Sequence, residues 1–304
     1  MKSKLTFLLL LLGYLSGSAQ YQLNNSIYSI QIPEGFKQVD GDNAAKHRTF
    51  DNDNIFMSLV TGYMDKGEYS AAEHGTIMRG GMRLKGMEVL PGNDSTVSLE
   101  IDNTLFFKTA VKVKDEKGII TTNEIYAFDD YQYHVFYFNF IYTDKTPNPA
   151  YQIGMTLGSF KMKYVTDSTK FMTFSRPANF QFLYNSLIYT NVPTRLSLNR
   201  EMKQSIILKC VYVADLEKQA KEEVKSYKKA GWKNVAAFSK DWKGTTYKQI
   251  GLASDRDDDY YSFVLLFPKD KYLLRIECIG LHDTFSAAWM LKHVALLLDS
   301  ARFK

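Results

Sequence analysis

Five histidines, two cysteines and a plentiful supply of carboxylates are the groups with which this 304-residue chain could do chemistry. His47, His74, His134, His282 and His293 include no His-x-His or His-x₃-His pair, and no Cys-x-x-Cys occurs, so the spacing of a zinc site is absent. Asp255, Asp257 and Asp259 alternate as ligands do in calcium loops. Counted from Asp255, however, the positions that need glycine and glutamate hold Tyr260 and Leu266, so the reading is a solvated hairpin tip. No Gly-x-Ser-x-Gly elbow or Ser-x-x-Lys set with its partner motifs follows the N-terminal segment. Gly75, Gly80, Gly81 and Gly86 fall within or at the end of a helical stretch rather than at a strand-to-helix turn, which excludes a phosphate-binding fingerprint. With Ala71, Met78 and Met82, Gly75 instead follows helical spacing and lets that helix lie close on a sheet. The expectation is no metal, no cofactor and no catalytic residue, hence not an enzyme. A hydrolase whose groups converge only on folding stays open.

Charge is more informative. Residues 20–170 carry 15 basic and 19 acidic groups, net −4, and residues 171–304 carry 21 and 14, net +7. Much of the excess lies on one stretch, where Lys218, Lys221, Lys225, Lys228 and Lys229 fall within an arc of roughly 100° on a helix, opposite Leu216, Ala220, Val224 and Tyr227. The plain reading is an amphipathic helix with a solvated face. The functional reading is a docking stripe for an acidic protein, a glycan or an anionic headgroup surface. Nucleic acid is not expected, because no nucleic-acid motif is present and the chain carries an export signal.

That signal is residues 1–19. A basic start at Lys2 and Lys4 precedes the apolar run Leu5–Leu12, and Gly17-Ser18-Ala19 supplies small residues for cleavage, the three-part pattern of a secretory signal peptide. The run is shorter than the about 20 residues a spanning helix needs, and no later segment is long and apolar enough to cross a bilayer. The segment ending Ser18-Ala19-Gln20 resembles export signals of Bacteroidetes-type bacteria. The mature protein is expected in the periplasm or outside the cell. A disulfide between Cys210 and Cys278 could persist there, and two buried free thiols are the alternative. With 45 % hydrophobic and 14 % aromatic residues, the composition excludes disorder, and two cysteines exclude a disulfide scaffold.

The elements read as one pattern written twice. Strands at 27–32 and 55–63, a helix at 69–85 stopped by Gly86, strands at 104–114, 119–128 and 133–142 and a short helix from Pro149 make the first set. Strands at 187–191 and 204–213, a helix at 216–230 stopped by Gly231, strands at 245–254, 260–267 and 272–279 and a helix at 284–302 make the second. Asp65 and Asp215 lie 150 residues apart, Gly86 and Gly231 145, and Ser159 and Ser300 141, a drift that loop insertions produce. Short turns between strands imply antiparallel pairs. Both alternating sets of 133–142 are mainly apolar, so that strand should be covered on both faces. The class is therefore α+β, as two tandem α/β/α sandwiches, units 20–168 and 169–304, with the boundary near Asp167–Pro177. The last helix, apolar nearly all round, implies either burial between the units or a partner surface.

Ile32-Pro33-Glu34-Gly35-Phe36, set after a strand and before a strand, a helix, an antiparallel series and a terminal helix, resembles the PsbP-like fold. The order of elements extends the resemblance to both halves, although the second has only Val192-Pro193 at the corresponding start. The resemblance implies a binding or assembly subunit with a protein partner and no catalytic motif to transfer. A small-molecule or lipid carrier, with a pocket between an aromatic sheet and its helices, is the other non-enzymatic reading.

Overall fold

In a computed structural model, the structure describes residues 21–39, 47–63, 71–92, 95–129, 134–168, 172–179, 181–182, 194–197, 205–211, 215–253, 260–269, 272–281 and 287–303. The expected signal peptide, the strand at 187–191, Asp65, His282 and the acidic tip at 255–259 lie outside these residues. The protein is α+β with antiparallel strand pairing throughout the described residues. The chain divides into two compact units between Lys163 and Tyr164.

The N-terminal unit runs β1 (Tyr21–Asn24), β2 (Tyr28–Ile32), β3 (Lys37–Gln38), β4 (His47–Asp51), β5 (Ile55–Tyr63), α1 (Ala71–Leu84), β6 (Glu88–Val89), β7 (Val97–Ile101), β8 (Thr104–Lys114), β9 (Ile120–Asp129), β10 (His134–Thr143), α2 (Pro149–Gly158) and β11 (Lys161–Met162). The large sheet has the order β3-β4-β5-β10-β9-β8-β6, with β7 also on β8, and the small one β1-β2-β11. The C-terminal unit runs β12 (Tyr164–Ser168), β13 (Met172–Pro177), β14 (Gln181–Phe182), β15 (Thr194–Ser197), β16 (Ser205–Val211), α3 (Leu216–Lys229), β17 (Lys233–Trp242), β18 (Thr245–Ala253), β19 (Tyr260–Lys269), β20 (Tyr272–Leu281), α4 (Ala287–Ser300) and β21 (Arg302–Phe303). Its large sheet has the order β14-β15-β16-β20-β19-β18-β17 and its small one β12-β13-β21. Residues 164–168 and 172–177, which overlap the stretch 167–177 where the periodicity breaks, pair as β12 and β13, both in the C-terminal unit.

The alternation of apolar residues sets the layers. Along β10, Val135, Phe136, Phe138, Asn139 and Phe140 are all buried, so both faces are covered. One face carries Phe106, Phe128, Phe136, Phe138 and Phe140, which pack with Ile30 and Ile32 of β2 and with Ile153 and Leu157 of α2. The aromatic rings interlock, Phe106 with Phe128 at 4.8 Å and Phe128 stacked on Phe136 at 4.9 Å. The other face presents Ala127 and Val135 to Ala71 of α1, and Val111 and Val113 to Met82. Gly75 is where α1 comes closest: a β-carbon there would lie 2.5 Å from Thr109 Cβ and closer still to Thr109 Oγ1.

Both main helices end alike. Gly86, at φ +79°, donates to Arg83 O, and Met87 N reaches back to Met82 O at 3.2 Å. Gly231, at φ +86°, donates to Lys228 O, and Trp232 N reaches Tyr227 O at 3.1 Å. This is the Schellman pattern, in which glycine takes the left-handed position and an apolar residue after it closes on the last turn. Trp232 packs edge-on against Tyr227 at 5.9 Å, and Met87 packs beside Met82. A second correspondence lies at the ends of α2 and α4. Ser159 Oγ accepts from Gln31 N of β2 at 2.9 Å, and Ser300 Oγ accepts from Ser175 N of β13 at 2.9 Å. Each serine thereby ties its helix to the second strand of a small sheet.

His74 of α1 is 3 % exposed and lies 4.3 Å from the Tyr137 ring. Burial lowers its pKa from 6.5 to about 4. The unfolded chain takes up that proton near pH 6.5 and the folded chain only near 4, so this part of the stability is full above 6.5 and is lost as pH falls between the two. Urea unfolding should show about 2 kcal/mol less stability at pH 5 than at pH 7 from this group alone. His74→Phe should flatten that slope, and an unchanged slope would assign it elsewhere.

Cys278 is fully buried, and burial pushes its thiol pKa up. In the β16–β20 register Cys210 faces Leu274, and Ile206 faces Cys278. Four residues of strand, about 13 Å, separate the two cysteines along the sheet, whereas a disulfide needs α-carbons within about 7 Å. The register excludes the intramolecular bridge and keeps Cys278 a free thiol.

Candidate functional site

The lysine-rich helix is built to present its charges. Asp215 caps α3 by accepting from Lys218 N at 3.0 Å, Glu217 sits in the first turn, and Lys228 and Lys229 lie in the last, each sign at the favourable end of the helix dipole. Ala220, Leu216, Val224 and Tyr227 pack on Val235, Ile250, Val264 and Leu266 of the sheet. With that face committed, Lys218, Lys221, Lys225, Lys228 and Lys229 are all exposed.

The helix lies over the end of the sheet, and between it and β17 runs an open groove of about 640 Å³. Ala220, Val224 and Val235 form an apolar floor, while Lys221, Lys225 and Lys228 form one rim. Lys218 and Lys229 are not among the groove's lining residues. Lys248 of β18 closes one end, with Nζ 2.5 Å from Glu217 Oε1 and 2.8 Å from Ser239 Oγ. Spacing along the chain does not reveal Lys248, since only folding brings it beside α3. Nor does it reveal the strand at 233–242, because the exposed stretch Ala237–Asp241 carries no apolar alternation.

Beneath the helix lies a saturated ionic network. Arg275 of β20 donates from Nε to Glu223 Oε1 at 2.8 Å, from Nη1 to Glu277 Oε2 at 2.8 Å and from Nη2 to Tyr227 Oη at 2.7 Å. Tyr227 in turn donates to Glu277 Oε1 at 2.6 Å. The side chains of Arg275, Glu223 and Glu277 are 13 %, 12 % and 17 % exposed, so the network is a partly buried tether of α3 to the sheet. Burial alone would lower the Arg275 pKa. The hydrogen bonds and charges of Glu223, Glu277 and Tyr227 reverse this and hold the guanidinium protonated.

The other carboxylate cluster is Glu124 of β9, which accepts from Tyr126 Oη at 2.7 Å, from Tyr142 Oη at 2.8 Å and pairs with Lys108 Nζ at 2.9 Å. Burial pushes its carboxyl up, but these donors and the Lys108 charge more than offset that and hold it below the usual carboxylate range. A carboxylate kept ionised, with both oxygens occupied, is poorly suited to proton transfer near neutral pH. Among the described residues no group of three or more His, Cys, Asp or Glu could hold a metal ion, and no helix is long and apolar enough to cross a membrane.

No family model matches the sequence, and no curated protein is significantly similar to it. Among solved structures, the chain aligns with a cyanobacterial PsbP from Synechocystis at 10 % identity and TM-score 0.34, over 47 % of this chain and 92 % of that one. It aligns with a protein of Bacteroides thetaiotaomicron at 12 % identity and TM-score 0.32, over 49 % of each chain. An immunity protein of the Pseudomonas aeruginosa T6SS, solved in complex with a peptide, aligns at 10 % identity and TM-score 0.27, over 88 % of this chain and 98 % of that one. Similarity at this level carries no argument about function.

Proposed function

We propose that the protein is an exported, non-enzymatic binding or accessory protein, a duplicated PsbP-like α/β/α unit whose second copy docks an anionic partner on α3. Cleavage after Ala19 would leave one unit from residue 20 to Lys163 and one from Tyr164 to Lys304. Three things support the duplication: the shared strand order of the two large sheets, the matching glycine ends of α1 and α3, and the paired serine ties Ser159–Gln31 and Ser300–Ser175. Export rests on the N-terminal pattern alone.

The observation that carries the docking reading is the arrangement of α3: five lysines exposed on one side, the other side fixed to the sheet. Such a row raises the local concentration of an acidic surface and speeds its encounter, and salt screens it within about 8 Å at physiological strength. The five-fold Lys→Glu variant at 218, 221, 225, 228 and 229 should lose at least about tenfold in partner recovery from a native periplasmic extract. Wild-type recovery should itself fall steeply with added salt. Undiminished recovery by a folded variant would reduce the stripe to a solvated helix face.

A carrier of an anionic amphipath is a second reading, favoured by the apolar floor and the volume of the groove, which falls in the small-ligand range of about 300–1,000 Å³. Binding of a fatty-acid-sized probe with the same lysine dependence would select it.

A further inference from the structure

Strand β17 ends its sheet. From Ala236 to Trp242 every residue pairs with β18 on one side, and among the described residues no strand pairs with it on the other. Ala237–Asp241 are exposed. An unpaired edge of this length is a template for another chain; proteins usually blunt such edges with short strands, bulges, covers or lysines, and of these the middle of β17 has only Lys240, which an acidic segment would tolerate. The N-terminal unit does so: the corresponding position on β8 is divided between two-residue β6 and five-residue β7, on either side of residues 90–96. The C-terminal unit keeps a ten-residue strand, with a bulge only at its start between Lys233 and Ala236.

We propose that β17 accepts an extended acidic segment of a partner protein by strand addition, the added strand lying in the groove beneath Lys221, Lys225 and Lys228. This rests on the docking reading of α3 and names the form of the partner. The groove runs between the open edge and the helix, so a strand paired to β17 would turn one set of alternate side chains toward α3. The three lysines span about 10 Å along the helix axis, and alternate residues of a strand recur about every 6.7 Å. Two successive alternate carboxylates therefore meet the row within the reach of lysine side chains. The opposite face of the added strand would lie beside Phe238, which is 54 % exposed and suits an apolar residue. The sequence called for is alternating acidic and apolar. A second copy of this chain is the wrong occupant, because β17-to-β17 pairing would bring the two lysine rows together with Lys240 of each edge.

The test uses the mature full-length protein and a fluorescent ten-residue peptide of alternating Glu and Val, followed by anisotropy. Micromolar binding is expected, with the Lys–Val counterpart at least 50-fold weaker. The triple Lys→Glu variant at 221, 225 and 228 should bind the Glu–Val peptide at least tenfold more weakly. N-methylation of one alternating set of peptide amides should cost at least tenfold and of the other set little, since a strand uses one edge. Amide exchange should slow along β17 when peptide is bound. Equal binding by both methylated peptides, with the lysine dependence intact, overturns strand addition and leaves the docking stripe standing. Binding indifferent to the lysines overturns both, and no binding at millimolar peptide overturns strand addition.

Discussion

Gly75→Ala is expected to lower the unfolding free energy by about 3 kcal/mol, against the usual sense of glycine replacement in a helix. The added methyl would meet Thr109, coming within 2.5 Å of Cβ and closer still to Oγ1. The first of these atoms is fixed to the backbone of β8, so no rotamer change removes the clash and α1 must rise off its sheet. At Gly80 and Gly81 of the same helix a β-carbon would meet only open space, and alanine at either should stabilise by up to about 1 kcal/mol. Thr109→Ala in the Gly75→Ala background removes two of the three close atoms and should recover part of the loss. Urea midpoints of these variants decide the matter. If Gly75→Ala is as stable as Gly80→Ala, α1 does not sit on β8 in this way.

Arg275→Ala should cost about 3 kcal/mol, because it strands Glu223 and Glu277 as partly buried carboxylates around a tyrosine that can donate to only one of them. The loss belongs to the orphaned charges more than to the missing bond. Adding Glu223→Gln and Glu277→Gln should therefore restore much of the stability, while either glutamine alone restores less. Arg275→Lys keeps the charge but loses the fork, and should fall between. These effects read out in denaturant midpoints and in faster amide exchange along α3. Additive losses in the combined variants would show that the four side chains do not act as a network.

The residues that announce themselves in the sequence are those whose neighbours are close along the chain. Strands Ile55–Tyr63 and Thr104–Lys114 have the limits their alternation implies, and Gly86 and Gly231 stop the helices. The lysine row of α3 is legible because helical geometry alone gathers it. Strand β17 is not, because an edge exposed on both sides at Ala237–Asp241 has no core to impose a period of two. Strand β12 hides for a related reason: Thr166, Asp167 and Ser168 carry the composition of a linker and are placed by pairing, while in β13 the buried alternation is only Met172 and Phe174, followed by Ser175, Arg176 and Pro177. Lys248 at the groove and Arg275 in the ionic network belong to strands that reach α3 only through the sheet order, a relation no local spacing encodes.

The stagger of the two cysteines also bears on how the chain matures. To join Cys210 to Cys278 the two central strands would have to slide by four residues, carrying Ile206, Leu208, Leu274 and Ile276 out of their cross-strand partnerships. Oxidation within the chain is thus a competitor of the native state. A polypeptide that folds ahead of the oxidant shelters Cys278, whereas one that lingers unfolded can be locked out. Under the proposed export, the pairing of β16 with β20 is what holds the two thiols apart in an oxidising compartment.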